Sequence, residues 1–493
     1  MKKRLFALLH ILIWAAGTAF WVHGSFHNQI WFDEAYTVGL VQQKLWNVVF
    51  YNIGDVHPPF YYVVLKLYSL VFGNSIHALR MFSVIFQSVL AGLGFTIIRK
   101  DFGEKVGFWY TTLFVLFASS FKYANEIRMY SFAPVLVLLT AVYAYRYYKS
   151  GMTDKKSRVL FLTFSILGAY THYYALAAAG AVNFLFLLYF REKNQIEEWK
   201  KLAKIQLYAY IPGFICLIWQ SKSVVPSFWI QIIYPDFIYK SLSFFMVGEV
   251  PEDVHGLTDI TSKIYDGIAV FFWAVCALFF YLYYKKNKEK CEPALLTLKT
   301  LGVIIAFYMA VSLIRPLYYV RYLTVLSGLI VFFLAFAFDK IKQFYIKGGL
   351  LILLATVLVL RVTPIYENMY TPENDAIDTF IAENFQEGDI VVSDNIGLVA
   401  VLAERHPELN LFFYNHDEWD VELAYSAFSP QLKTVRDLSE VYAHPGRIWA
   451  LKNYFPGSIN DLIEQNTDKK VIKQYDKIVV PYHNLQFEFT LLG

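Results

Sequence analysis

Runs of about 20 apolar residues, the length that crosses a hydrocarbon core, recur along this chain and limit what it can fold into. Leu5 to His23, Phe132 to Tyr148 and Tyr322 to Phe338 are examples. The whole sequence is 57% hydrophobic and 17% charged, against about 45–50% and 25% for soluble globular chains. That excess calls for a bilayer as solvent. Lys2, Lys3 and Arg4 precede the first run, but Trp14, Phe20 and Trp21 follow without a small-residue cleavage pattern before Gly24. A retained anchor is therefore expected, not a removable leader. Cys216, Cys276 and Cys291 are widely spaced, which suggests neither a zinc site nor a disulfide framework.

Lysine and arginine are retained on the cytoplasmic side of membrane helices. With Met1 inside, about eleven crossings are expected, near 5–24, 79–98, 106–121, 130–148, 158–171, 173–190, 202–220, 265–284, 296–314, 322–338 and 346–362. Each inner connection is then basic, as at Arg99-Lys100 with Lys105, at Lys155-Lys156, and at Lys285-Lys286 with Lys288 and Lys290. Phe60 to Phe72 is too short to cross, opens with His57-Pro58-Pro59 and carries Lys66, so it is expected along the interface. The outer face receives Ser25 to Gly73, Lys122 to Met129, Thr171-His172, Ser221 to Lys263, Arg315 to Arg321 and the C-terminal segment.

After about Pro364 the composition changes. From there on the chain has 9 basic and 21 acidic residues, a net −12, which leaves +16 of the total +4 in residues 1–363. β-like runs at Asp389 to Ser393, Leu411 to Tyr414, Arg447 to Leu451, Lys477 to Val480 and Leu485 to Leu491 alternate with helical stretches. Thr371-Pro372 and Ser429-Pro430 look like helix starts. The expected organisation is an all-α polytopic membrane domain, 1–363, followed by a small soluble α/β domain, 364–493, on the outer face.

Ionisable residues beside a membrane are costly unless they face a cavity or the interface. Asp33-Glu34 follows Trp31-Phe32 at the mouth of the first crossing. A partly desolvated carboxylate there is a general base on one reading and a helix N-cap on the other. Asp55-Val56-His57-Pro58-Pro59 fixes His57 at the interface or merely forms a turn. In Lys122-Tyr123-Ala124-Asn125-Glu126-Ile127-Arg128 two cations within about two helical turns can bind a phosphate, with Glu126 orienting them, or can snorkel. Arg80, His172-Tyr173 and Arg321 fall on the same expected outer face. The sequence contains no Asp-x-Asp, GxGxxG, P-loop, GxSxG or HExxH, and no nucleic-acid-binding pattern.

The series Phe32-Asp33-Glu34-Ala35-Tyr36, His57-Pro58-Pro59-Phe60-Tyr61-Tyr62, Arg80 with Ser83, Glu126-Ile127-Arg128-Met129-Tyr130, Tyr170-Thr171-His172-Tyr173 and Arg321-Tyr322-Leu323 resembles the GT-C superfamily of membrane glycosyltransferases. The similar branch is glycosyltransferase family 39, which includes protein mannosyltransferases and bacterial transferases that move aminoarabinose or other sugars onto envelope lipids. The resemblance runs over roughly the first 340 residues and leaves out the C-terminal part. It implies Asp33, beside Glu34, as catalytic acid-base residue. It also implies Arg80, Arg128 and Arg321 near the phosphate of a polyprenyl-phosphate sugar donor, and a lipid, glycan or protein acceptor. Met81-Phe82, Asn125 and the proline-free Leu323 to Leu326 depart from the family pattern. The chemistry requires no cofactor, although a divalent cation is compatible with it. A bacterial cytoplasmic membrane is the implied location. A transporter or flippase of lipid-linked sugars, and a non-catalytic subunit of an envelope complex, are the rival classes.

Overall fold

The computed structural model describes residues 2–223, 230, 237–248, 258–416, 420–451 and 459–493. Positions 224–229, 231–236 and 249–257 of the expected outer connection lie outside them. The first helices are α1 (Lys2–Gly24), α2 (Phe32–Gln42), α3 (Leu45–Asn52), α4 (Phe60–Phe72), α5 (Ile76–Gly92), α6 (Arg99–Phe102), α7 (Glu104–Leu116) and α8 (Ala118–Ala124). Then come α9 (Phe132–Lys149), α10 (Lys155–Ala169), α11 (Tyr173–Glu192), α12 (Ile196–Ser223), α13 (Phe237–Val247), α14 (Thr258–Tyr284), α15 (Glu292–Ser312), α16 (Ser327–Asp339) and α17 (Phe344–Tyr370). The C-terminal helices are α18 (Ala376–Asn384), α19 (Ile396–Arg405), α20 (Glu422–Tyr425), α21 (Ser439–Tyr442) and α22 (Ile459–Asn466).

Among the described residues eight helical spans are long and apolar enough to cross a membrane. They are Arg4–Gly24, Ile76–Phe102, Tyr173–Glu192, Ile196–Lys222, Lys263–Tyr284, Glu289–Ser312, Val320–Asp339 and Phe344–Asn384. The protein is an integral membrane protein. The other three expected crossings fall on helices outside this set. The 106–121 segment is broken between α7 and α8 at Phe117, whose backbone is extended. The 130–148 segment is the 18-residue α9, with Arg146 and Lys149 in its last turn. The 158–171 segment is the 15-residue α10, started by Asp154, whose carboxylate accepts the Lys156 N–H. A capping carboxylate meets a donor that the helix itself leaves unpaired.

The chain divides into two compact units. The first comprises Met1–Phe26, Arg80–Ile215 and Phe228–Thr363, and the second His27–Leu79, Cys216–Ser227 and Pro364–Gly493. In the first unit α16 is buried from Ser327 to Phe338. There the π-helical turn Gly94–Ile98 lets α7 approach closely. A Cβ on Gly107 would stand 2.2 Å from the Gly94 carbonyl oxygen, so a side chain there is excluded by backbone.

In the second unit a six-stranded sheet has the order β3-β2-β1-β4-β8-β5. Its strands are β1 (Ile390–Ser393), β2 (Asn410–Tyr414), β3 (Leu432–Val435), β4 (Ile448–Leu451), β5 (Val471–Gln474) and β8 (Phe489–Leu492), with β6 (Ile478–Val480) and β7 (Leu485–Phe487) pairing separately. β1 runs parallel to β2 and β4, and β8 antiparallel to β4 and β5. Ile390, Val392, Phe412, Ile448 and Leu492 form one side of its core with Val441, Ile459 and Ile463. Ser429-Pro430, expected to start a helix, lies instead in the turn into β3, whose ladder with β2 claims the following residues. The run expected as one strand from Leu485 to Leu491 is two, β7 and β8, with different partners.

Gly107→Ala is predicted to lower stability by about 1–3 kcal/mol through overpacking. Gly180→Ala, on α11 with nothing within 4 Å of its Cβ position, serves as the control for the helix preference of Ala over Gly. Thermal unfolding in detergent measures both, and equal midpoints would contradict the close approach.

Candidate active site

The carboxylate pair sits in the first turn of α2, in the second unit. Trp31, not Asp33, is the N-cap residue, with extended backbone and no side-chain cap bond. The N-cap reading of Asp33 is thereby replaced. Asp33 and Glu34 occupy the second and third helical positions, where unpaired N–H groups and the helix dipole favour negative charge. Asp33 is half-buried, and Glu34 is 0% exposed. The Tyr482 hydroxyl donates to Glu34 Oε2 at 3.0 Å. The Thr37 hydroxyl donates to the Asp33 carbonyl at 2.9 Å. His57 is buried in the turn ahead of α4, and the Tyr62 hydroxyl donates to Asp55 Oδ2 at 3.4 Å. α4 has 13 residues, short of a span, and turns Leu67, Leu70, Val71 and Phe72 outward while Tyr61, Tyr62 and Leu65 are buried.

Residues before and along α2 are tied to the C-terminal part of the same unit. Gln29 donates to Asp375 Oδ1 at 3.3 Å and accepts from the Arg405 guanidinium, which also pairs with Asp378. The far end of α2 is held by Gln42 Nε2, which donates to Glu404 Oε2 at 2.9 Å. Beside it Gln43 Nε2 donates to the Ala427 and Ser429 carbonyls at 3.0 and 2.9 Å.

The first unit carries the cations. Arg80 and Ser83, one turn apart on α5, reach the loop after α8. Arg80 Nε donates to the Asn125 carbonyl at 2.9 Å and the Ser83 hydroxyl to the Glu126 carbonyl at 2.7 Å. Arg80 is 0% exposed, which rules out snorkelling for this residue. The expected helical spacing of Lys122 and Arg128 is not present, because α8 ends at Ala124 and residues 125–131 are non-helical. Side chains of α5 satisfy the loop carbonyls in place of helical N–H groups. Lys122 is half-buried and lies over the Tyr123 ring at 5.7 Å, whereas Glu126 and Arg128 are buried.

The loops of the first unit converge through aromatic rings. His172 caps α11, its Nδ1 accepting the Tyr174 N–H at 3.1 Å. Its ring lies 6.0 Å from Tyr130 and 5.5 Å from Tyr322. Arg321 stands over Tyr319, which contacts Tyr322 at 5.6 Å between centroids. Tyr173 begins α11 and is half-buried. Thus the 125–131 loop meets the His172 ring through Tyr130, Arg321 joins the same chain of rings through Tyr319 and Tyr322, and Arg80 holds the loop from α5. Among the described residues no group of three His, Cys, Asp or Glu side chains comes together as cation ligands.

No family model matches the sequence, and no curated protein does either. Among solved structures, ArnT from Cupriavidus metallidurans in the apo state matches with a TM-score of 0.59 at 11% identity, over 98% of this chain and 97% of that one. A structure of that protein bound to undecaprenyl phosphate matches with a TM-score of 0.56 at 12% identity, over 99% and 97%. The chain has the GT-C fold. The likeness extends through the C-terminal α/β part, which the sequence resemblance had left out.

Sequence reasoning missed what this GT-C chain uses to hold its carboxylates. Tyr482 and Glu34 are 448 positions apart, and no local pattern links them. Glu404 was likewise invisible. It packs over Gly39 of α2, where a Cβ would stand 2.6 Å from its Oε1, and burial pushes its carboxyl up to about 8 despite the Gln42 hydrogen bond. A folded value above the unfolded one, about 4.3, gives stability that is full below the unfolded value and lost as pH rises toward the folded one. Unfolding of the wild type is therefore predicted to become easier from about pH 5 to 8 by an amount that Glu404→Gln removes. Parallel pH dependences of the two unfolding midpoints would contradict this.

Proposed function

We propose that the protein is an inverting glycosyltransferase of the family 39 type. It moves a sugar from a polyprenyl-phosphate donor to a lipid, glycan or protein acceptor of the cell envelope. The observation that carries this reading is the likeness over almost the whole chain to ArnT, a GT-C glycosyltransferase seen bound to undecaprenyl phosphate. The acid turn of α2 is assigned the proton transfer and the cations Lys122, Arg128 and Arg321 the phosphate charge that such a transfer involves.

Asp33 takes the proton from an acceptor hydroxyl or amine as that atom bonds to the anomeric carbon. The bond from that carbon to the phosphate oxygen breaks, its electron pair leaves with the oxygen, and polyprenyl phosphate is released. Nothing is oxidised or reduced. The extra negative charge on the departing phosphate needs preorganised cations, and Lys122, Arg128 and Arg321 are assigned to it. Arg80 holds the loop that carries Arg128. Glu126, His57, His172 and Tyr173 are assigned to substrate binding, and Glu34 supports Asp33. Arginine and lysine take the phosphate charge, and no step runs through a metal. The basic loops support an N-terminus inside and residues 364–493 outside, as in a bacterial cytoplasmic membrane.

The test is transfer in vesicles from a panel of polyprenyl-phosphate sugars. Asp33→Asn, equal to wild type in unfolding midpoint, is predicted to lose about 100-fold or more in turnover. Equal turnover by both would remove Asp33 from the mechanism. Translocation of a lipid-linked sugar without transfer would favour the transporter.

A further inference from the structure

We infer that Tyr482, with its neighbour His483, is a positioning residue for the catalytic turn of α2, and that the C-terminal α/β part is thereby a working part of the transferase. The inference rests on the assignment of Asp33 as base. Two contacts grip the turn on either side of Asp33. The Trp31 indole stacks on the His483 imidazole, with centroids 4.6 Å apart and planes 6° from parallel. Three positions further on, Tyr482 donates to the fully buried Glu34 carboxylate. Residues three apart share one side of a helical turn, so consecutive residues of one loop hold one side of it. Asp33 is rotated from Glu34 by about 100° around the helix axis. It is less buried than Glu34.

The gripping loop is itself fixed. The Tyr482 N–H donates to Asn374 Oδ1 at 3.0 Å, and Asn374, 1% exposed, donates through Nδ2 to the Asn368 carbonyl at 2.8 Å. His483 and Asn484 have φ of 57° and 50°. That left-handed region is one that His and Asn adopt more readily than most side chains. The conformation lets consecutive residues present their rings to two positions of α2. A second tyrosine of the C-terminal part, the half-buried Tyr425, lies where the charges of Asp55 and Asp33 act on it. Burial first, and then those charges, push its hydroxyl up.

A burial role alone would alter stability, whereas a positioning role alters the chemical step. The full-length protein in vesicles, given a polyprenyl-phosphate sugar that wild type consumes, separates the two. Tyr482→Phe, which removes one oxygen, is predicted to lower kcat about 10- to 100-fold with the KM for the donor within about twofold. His483→Ala is predicted to act in the same direction and decides the matter if Tyr482→Phe unfolds. Unchanged kcat in both variants, or a rise in KM with kcat unchanged, overturns the inference. If wild type consumes no donor of the panel, the proposed function fails, and Tyr482 is judged by amide hydrogen exchange. Faster exchange across residues 32–42 with the sheet unchanged supports the grip, and unchanged exchange there overturns it.

Discussion

A carboxylate with no exposed surface has to be held, because a buried charge without hydrogen bonds costs several kcal/mol. Glu34 is such a group, and the Tyr482 hydroxyl is one of the donors that hold it. Much of the second unit follows from that requirement. Residues 27–79 are joined to Pro364–Gly493 as one compact unit although more than half the chain separates them. The contacts that join them recur along α2: Trp31 on His483, Glu34 on Tyr482, Gln42 on Glu404 and Gln43 on the Ala427 and Ser429 carbonyls. The acid turn is therefore set by a folded sheet domain and not by an isolated loop.

The first unit meets the same constraint with the opposite charge. Arg80 is buried and directs its Nε at a backbone carbonyl, so a non-helical loop is kept in place by side chains of a membrane helix. That loop carries Glu126 and Arg128, and its last residues reach the aromatic cluster of His172 and Tyr322. Tyrosines dominate the cluster because their rings pack while their hydroxyls find polar partners. Tyr174, stacked on Tyr308 with centroids 3.7 Å apart, donates to the Leu317 carbonyl at 3.3 Å.

The fold class was legible in the sequence because apolar run length and loop charge are local properties that a bilayer imposes directly. β1, β2, β4 and β6 were legible for a similar reason, since each is a short apolar run between turn residues. β5 was not, because all four of its residues are exposed and it reads as polar coil. β3, with Lys433 and Thr434 at its centre, shows little apolar character and owes its state to pairing with β2. The break at Phe117 was hidden within a continuous apolar stretch. At the site, the residue types and their order pointed to Asp33, Arg128 and His172. Arg80's tie to Asn125 and Tyr482's tie to Glu34 were beyond reach, because burial and partner depend on packing between segments distant in sequence.

The proposed transfer depends on Asp33 activating the acceptor for one direct displacement at the anomeric carbon. The anomeric configuration of the transferred sugar, compared with that of the polyprenyl-phosphate donor by nuclear magnetic resonance of the product, tests this most directly. Inversion is the predicted result. Retention would require a covalent sugar intermediate and a second displacement, and would contradict the role given to Asp33.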